Sequence, residues 1–316
     1  MSRFIVRRAF QAAIVLGLVS IFTFLIFQVI PNGDPAARLA GRTATPEQIA
    51  AIARSWGFDR PIYIQYLHTM DKIFTGSVIS YTQQINVVDQ IRRGLPATIS
   101  LAVGAGFIWL VFGILVGLLS SIRPGRLLDR TLGFLALTSI SAPVFVIGSV
   151  ALYFFAYRTS ILPSGGYVPL TDNPLHWVEH LLLPWISLSL PFIGFYSRVL
   201  RGNVLDAKHE DYVRMARAKG LSSRRVLVRH VLRNSLIPVM ALWGLDFAGV
   251  IGGGAILIES IFDLRGVGQY AAESIQVLDV PPIMVIVMYT AVLVVIMAAI
   301  IDVLYAYLDP RISLNA

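Results

Sequence analysis

The sequence predicts an all-α integral membrane protein with six transmembrane helices, cytoplasmic N and C termini, a cytoplasmic helix-turn-helix loop and a long external segment after the first helix. Three observations carry that expectation. Hydrophobic residues make up 56% of the chain and charged residues 14%, with a mean hydropathy of +0.71, whereas a soluble domain has about a quarter of its residues charged. Uncharged runs occupy residues 9–33, 94–122, 131–157, 180–197, 234–258 (broken by Asp246) and 280–301. Each is near or beyond the roughly 20 residues that carry a helix across about 30 Å of hydrocarbon. The basic residues are also unevenly placed. Arg3, Arg7 and Arg8 precede the first run, Arg123, Arg126 and Arg130 follow the second, ten Lys/Arg lie within 198–236, and Arg311 is in the tail. The short loops on the other side hold only Arg158 and Arg265. Seven more lie in the segment 31–93, but long segments translocate largely regardless of charge, so the bias puts both termini inside.

Taken in order, the first run is too long for a 7–15-residue signal core and has no clear small-residue cleavage site before Pro31, so it is expected to remain as a helix. The external segment 31–93 carries helix signals. Thr45 is suited to an N-cap, Pro46 to the first helical position and Gln48 to a capping box, with Ile49, Ile52, Ala53 and Trp56 on one face and Gly57 as the stop. A second helix begins at Pro61, shows Tyr63, Leu67, Met70 and Phe74 on one side, and ends at Gly76. Such a segment suits either a lid on the outer mouth or a docking surface for an external partner. No internal repeat or flexible linker divides residues 1–316, which read as one membrane domain.

Several chemistries are disfavoured. The chain has no cysteine, which removes disulfides and thiolate metal sites. His68, His176, His180, His209 and His230 have no metal-binding arrangement; His176 and His180 are four apart without further ligands nearby. The net charge of +8 is explained by the positive-inside bias and anionic membrane lipid, and no nucleic-acid partner is expected.

The loop 198–236 concentrates charge, with ten Lys/Arg against three Asp/Glu. Glu210 and Asp211 precede Tyr212, where a helix dipole favours negative charge, while Lys219 and Gly220 stand at the other end. Glu210 and Arg214 are spaced i to i+4, and Tyr212, Met215, Ala216 and Lys219 share a face. Ser222 or Ser223 then caps a second helix, with Arg225, Arg229 and Arg233 in a basic row and Val228, Val231 and Leu232 in an apolar one. A DNA-binding helix-turn-helix is disfavoured because both ends are tied to the membrane.

At these residues the chain resembles the permeases of binding-protein-dependent ABC importers, in the dipeptide, oligopeptide and nickel branch. The matching stretch is Asp211-Tyr212-Val213-Arg214-Met215-Ala216-Arg217-Ala218-Lys219-Gly220-Leu221, followed by His230, Leu232-Arg233-Asn234 and Pro238. Further landmarks are Gly57-Phe58-Asp59-Arg60-Pro61, Gln65-Tyr66-Leu67, Leu95-Pro96-Ala97-Thr98, Gly266-Val267-Gly268 and Asp309-Pro310-Arg311. Arg214 stands where the general family motif has glutamate, as is typical of the peptide branch, and Ser77-Val78-Ile79-Ser80 replaces the Gly-Asp-Leu-Gly pattern often found after Gly76.

The resemblance implies a transport subunit rather than an enzyme: a multi-pass permease of a bacterial or archaeal cytoplasmic membrane that imports peptides by alternating access. Nickel chelates or other small solutes are the alternative cargo. Its implied partners are a second homologous permease, two cytoplasmic ABC ATPase subunits or domains and an extracytoplasmic substrate-binding protein. ATP and magnesium would belong to the ATPases, since this chain has no Walker-type phosphate loop. Glu210, Asp211, Tyr212, Arg214, Met215, Ala216, Arg217, Ala218, Lys219 and Gly220 would form the ATPase-coupling element. Pathway candidates are Asp246, a carboxyl within a span, with Ser139, Ser141, Tyr196 and Ser197. Asp246 also admits a structural role beside Trp243, or the coupling proton of an ATP-independent carrier. Gly252, Gly253 and Gly254 suit close packing against the second permease.

Overall fold

The structure is a computed structural model, and it describes residues 2–29, 36–37 and 45–308; the landmark Asp309-Pro310-Arg311 lies outside them. Helix α1 (Ser2–Phe24) continues through a wider π turn, Leu25–Val29. Two shorter helices follow, α2 (Pro46–Trp56) and α3 (Ile62–Thr75). The Thr45 backbone N–H donates to Gln48 Oε1 at 2.9 Å and the Gln48 N–H to Thr45 Oγ1 at 3.3 Å, which is the expected capping box. Gly57 and Gly76 end the two helices at φ 71°, a left-handed conformation that a Cβ would penalise.

The long helices are α4 (Val87–Ile122), α7 (Pro174–Ala207), α9 (Ser223–Gly254) and α12 (Val280–Leu308). With α1, they make five helices long and apolar enough to cross a membrane. The third uncharged run differs from a straight span: α5 (Leu127–Ser141) and α6 (Val144–Leu152, extended by a π turn to Arg158) meet at 97°. Pro143 causes the break. It has no N–H to donate and holds the preceding Ala142 in extended backbone, φ −82° and ψ 126°. Counting the bent pair as one span restores six.

The core lies between α4, α7 and α9. Gly113 and Gly117 on α4 permit that approach, because a Cβ there would lie 2.6 Å from Tyr196 Cβ and 2.7 Å from the Ser197 carbonyl oxygen. Trp109 stacks on Phe192 with ring centroids 4.5 Å apart, and Trp243 stacks on Phe247 at 5.0 Å. Gly253, at φ 126°, turns the chain from α9 into the short helix α10 (Ile256–Ile261), after which α11 (Val267–Gln276) leads to α12. Gly252 serves packing inside the chain, since its Cβ would meet Val294 of α12 at 2.9 Å. The described residues hold no strand, only an isolated bridge between Ile79 and Asn86.

Candidate functional site

Helices occupy both ends of the charged segment 198–236. Helix α7 runs on to Ala207 and α9 starts at Ser223, so only residues 208–222 lie between long helices. The expected second helix of the loop is the first part of α9, widened by a π stretch over Leu227–Leu232. Between them sits α8 (Asp211–Ala218). Glu210 is its N-cap by backbone and Asp211 its first residue, although neither side chain caps an N–H; Lys219 is the C-cap and Gly220 turns away at φ 78°. Ser222 is the N-cap of α9, also without a side-chain bond.

Two details of the expected helix change. Arg214 pairs with Asp211, at 3.6 Å, rather than with Glu210; at the N-terminus the i+3 carboxylate lies closer along the helix. Ala216 turns inward instead of sharing an outward face with Met215 and Lys219. Val213 is 0% exposed and Ala216 6%, both belonging to the core cluster that holds Leu200, Val204, Val226, Val231 and Val239, with Tyr212 packed beside them. Met215 is 61% exposed, and Asp211, Arg214, Arg217, Ala218, Lys219 and Gly220 are exposed with it. The small helix thus presents a basic and apolar outer surface while two side chains fix it to the span core. In α9, Arg225, Arg229 and Arg233 are exposed as a row, but Val228 is also exposed and Val226 takes the buried place.

Polar contacts join the helices that flank α8. Ser235 Oγ donates to the Asn203 carbonyl at 3.2 Å and Asn203 Nδ2 to the Ser235 carbonyl at 3.3 Å, stitching α7 to α9. Lys208 Nζ donates to the Ser121 carbonyl at 2.5 Å; burial, and then the nearby Arg217 charge, push its pKa down. Arg201 grips Asp129 through two bonds of 2.7 and 2.8 Å, a bidentate pair of the strong kind. Asp129 also accepts from Ser120 Oγ and the Gly125 N–H.

The pathway candidates fall in different places. Tyr196 O–H donates to Asp246 Oδ2 at 2.7 Å, joining α7 to α9; Tyr196 is 1% exposed, and Asp246 is partly exposed beside Leu245 at 68%. Ser197 is buried and donates to the Gly194 carbonyl. Ser139 and Ser141 donate back to the carbonyls of Ala136 and Leu137 on their own helix, with Ser141 exposed. His176 Nδ1 lies 2.9 Å from Glu179 and His180 Nδ1 2.9 Å from the His176 carbonyl.

Away from the charged loop, sequence reasoning missed two buried carboxyl groups. Asp279, 2% exposed, accepts from Ser80 Oγ, Thr82 Oγ1 and the N–H groups of Tyr81 and Thr82, binding the external segment to the start of α12. Glu259, 0% exposed, accepts the Gln269 N–H at 2.9 Å in the first turn of α11. Burial pushes its pKa up, opposed by bonds from Thr98, Gln269 and Gly268. A signal existed for Glu259: a carboxylate seven residues before a Gly-Val-Gly helix start. None existed for Asp279, whose partners lie about two hundred positions away.

The chain matches the family model of the binding-protein-dependent transport system inner membrane component over residues 110–314 and that of the family's N-terminal part over residues 1–102. It is 36% identical, over 99% of both chains, to a probable peptide ABC transporter permease protein of Sinorhizobium fredii. A dipeptide transport system permease protein of Lactococcus lactis is 33% identical over 99% of this chain and 100% of its own. A glutathione transport system permease protein of Escherichia coli is 30% identical over 99% of both. Among solved structures, the inward-facing MetNI methionine ABC transporter shares the fold, with TM-score 0.56 and 17% identity over 70% of this chain and 97% of that one.

Proposed function

This chain belongs to the inner membrane components of binding-protein-dependent transport systems, as a permease subunit of a peptide ABC importer, and we propose that α8 is the element through which partner ATPases drive it. The observation that carries this is the continuity of packing behind α8. Val213 and Ala216 sit in the same buried cluster as Leu101, Trp109, Tyr196, Phe247 and Ile258, which reaches from the cytoplasmic loop to α10 beyond the spans. A force on the exposed Met215 surface therefore acts on α4, α7 and α9 together, because close-packed interiors transmit displacement instead of absorbing it.

In this scheme two cytoplasmic ATPases hold ATP and magnesium, each receiving the coupling helix of one permease, this chain or a homologous second one. Glu210, Asp211, Arg214, Arg217, Lys219 and Gly220 supply the docking surface and its stop, and Tyr212, Val213 and Ala216 the anchor. An extracytoplasmic binding protein delivers short peptides to the outer mouth of a cytoplasmic-membrane complex whose termini face inward. Relatives named for peptides, dipeptides and glutathione support a short-peptide cargo. Asp246, oriented by the Tyr196 hydroxyl, offers a carboxylate for a peptide ammonium on the pathway, with Ser139 and Ser141 as further lining and Ser197 shaping it from behind.

The test is ATP-dependent uptake of a mixed dipeptide and tripeptide pool into vesicles containing the assembled complex. Gly220→Pro forces φ near −65° on a residue that sits at 78° and is expected to abolish uptake in a complex that still assembles. Gly220→Ala, with nothing within 4 Å of its Cβ, should lose less. Unchanged uptake in Gly220→Pro would overturn transmission through this turn.

A further inference from the structure

At the cytoplasmic end of the second and third spans, α4 and α5 part around an open groove of about 610 Å³, lined by Leu119, Ile122, Arg123, Arg126, Leu127 and Leu128. We propose that this groove is a binding site for an anionic phospholipid, whose phosphate sits between Arg123 and Arg126 and whose acyl chains lie along the four aliphatic side chains.

Shape and charge agree on that occupant. Leu119, Ile122, Leu127 and Leu128 are 46%, 50%, 80% and 54% exposed, an apolar wall at the end of a membrane-spanning helix that gains from contact with acyl chains and would be costly in water. The two arginines at its mouth are exposed, and planar guanidinium groups bind phosphate oxygens through paired hydrogen bonds. The only carboxylate in the turn is already engaged: Asp129 is occupied by Arg201, Ser120 and the Gly125 N–H, so it leaves the charge of Arg123 and Arg126 unneutralised. The same bonds brace the turn, with Gly125 at φ 79°, which preforms the space between the arginines. Basic pockets between helices on the cytoplasmic side are the setting in which lipid head groups are held specifically. A soluble anion would use the arginines and leave the aliphatic wall bare; a phospholipid covers both.

The experiment is native mass spectrometry of the assembled permease complex released from nanodiscs of phosphatidylglycerol mixed with phosphatidylcholine. The intact protein should retain phosphatidylglycerol in preference to phosphatidylcholine. The double variant Arg123→Ala/Arg126→Ala should lose one retained phosphatidylglycerol per copy of this chain, with affinity down by about tenfold or more for two lost charges. Arg224→Ala/Arg225→Ala, which removes two exposed arginines outside the groove, should keep it. Size-exclusion elution checks that each variant complex is assembled before its lipid is compared. Leu119→Asn/Leu128→Asn, with both arginines present, should also lose the lipid. Equal loss in both arginine pairs would overturn the site in favour of diffuse attraction to a basic face. Undiminished retention in the groove variant would overturn it outright. Displacement by millimolar inorganic phosphate would show a soluble-anion site and overturn the assignment to lipid.

Discussion

Two regions of this permease hold their short elements by opposite means. At one end of the spans, α8 has no side-chain cap at its N-terminus and is fixed by two buried apolar residues, Val213 and Ala216. Elsewhere, the segment around Ser80 to Thr82 and the start of α11 are held by buried carboxyl groups, Asp279 and Glu259, each accepting directed bonds. Apolar packing is non-directional, so a helix seated by it can tilt and carry its neighbours along. A buried carboxyl loses its bonds as soon as its donors move, and that loss is expensive. The contrast teaches that an element seated by apolar packing can shift with its neighbours, as the proposed coupling role of α8 requires, while those held by buried carboxyl groups are fixed by direction.

Asp279→Ala should produce the largest effect. It strands the buried Ser80 hydroxyl and removes the acceptor of the half-buried Tyr81 N–H and of the exposed Thr82, at a cost of about 1–3 kcal/mol. Protease cleavage within residues 77–86 should become fast in the assembled complex, with Asp279→Asn intermediate. If the segment stays protected, the carboxyl-anchored half of the comparison fails.

Val213→Ala should come next, costing about 1–2 kcal/mol by removing two buried methyl groups. Its signature is functional: ATP hydrolysis by the complex should continue while peptide uptake falls, because the docking surface remains but its anchor is loosened. Loss of hydrolysis and uptake in equal measure would instead place Val213 in assembly.

Glu259 adds a pH test. Burial raises its pKa, so its contribution to holding α11 is fully present below the ordinary carboxylate pKa and is lost as pH rises through the elevated folded value. Thermal stability of the complex should decline over that window, and Glu259→Gln should flatten the slope while keeping an oxygen for the Gln269 N–H. The smallest effect on stability belongs to Met215→Ala. The side chain is 61% exposed, so melting should shift by less than about 0.5 kcal/mol. Binding of the ATPase subunit should weaken more visibly, and an unchanged affinity would remove Met215 from the docking surface.

Much of this molecule could be read along the chain because it rests on local chemistry. The capping box of Thr45 and Gln48, the left-handed stops at Gly57, Gly76 and Gly220, and the acidic start of α8 each need only neighbours within a few residues. The length of the loop was harder to read. Charge composition marked residues 198–236 as one segment, but charge does not end a helix, and α7 continues through Arg198 and Arg201 to Ala207. The direction of Ala216 was also hidden, since its small side chain suits a partner's groove and its own core equally well. Only the position of the core distinguishes them.

By itself, then, the sequence determined the membrane class, the number of uncharged runs and the boundaries of the short helices. These follow from hydrophobic length and backbone preferences, both of which act over short stretches. Tertiary structure alone decided the 97° bend between α5 and α6, the pairing of Asp129 with Arg201 and of Asp246 with Tyr196, and the seats of Asp279 and Glu259. A bend angle depends on what the broken helix packs against, and a buried polar side chain must find donors wherever the fold brings them, about fifty to two hundred residues away for most of these pairs.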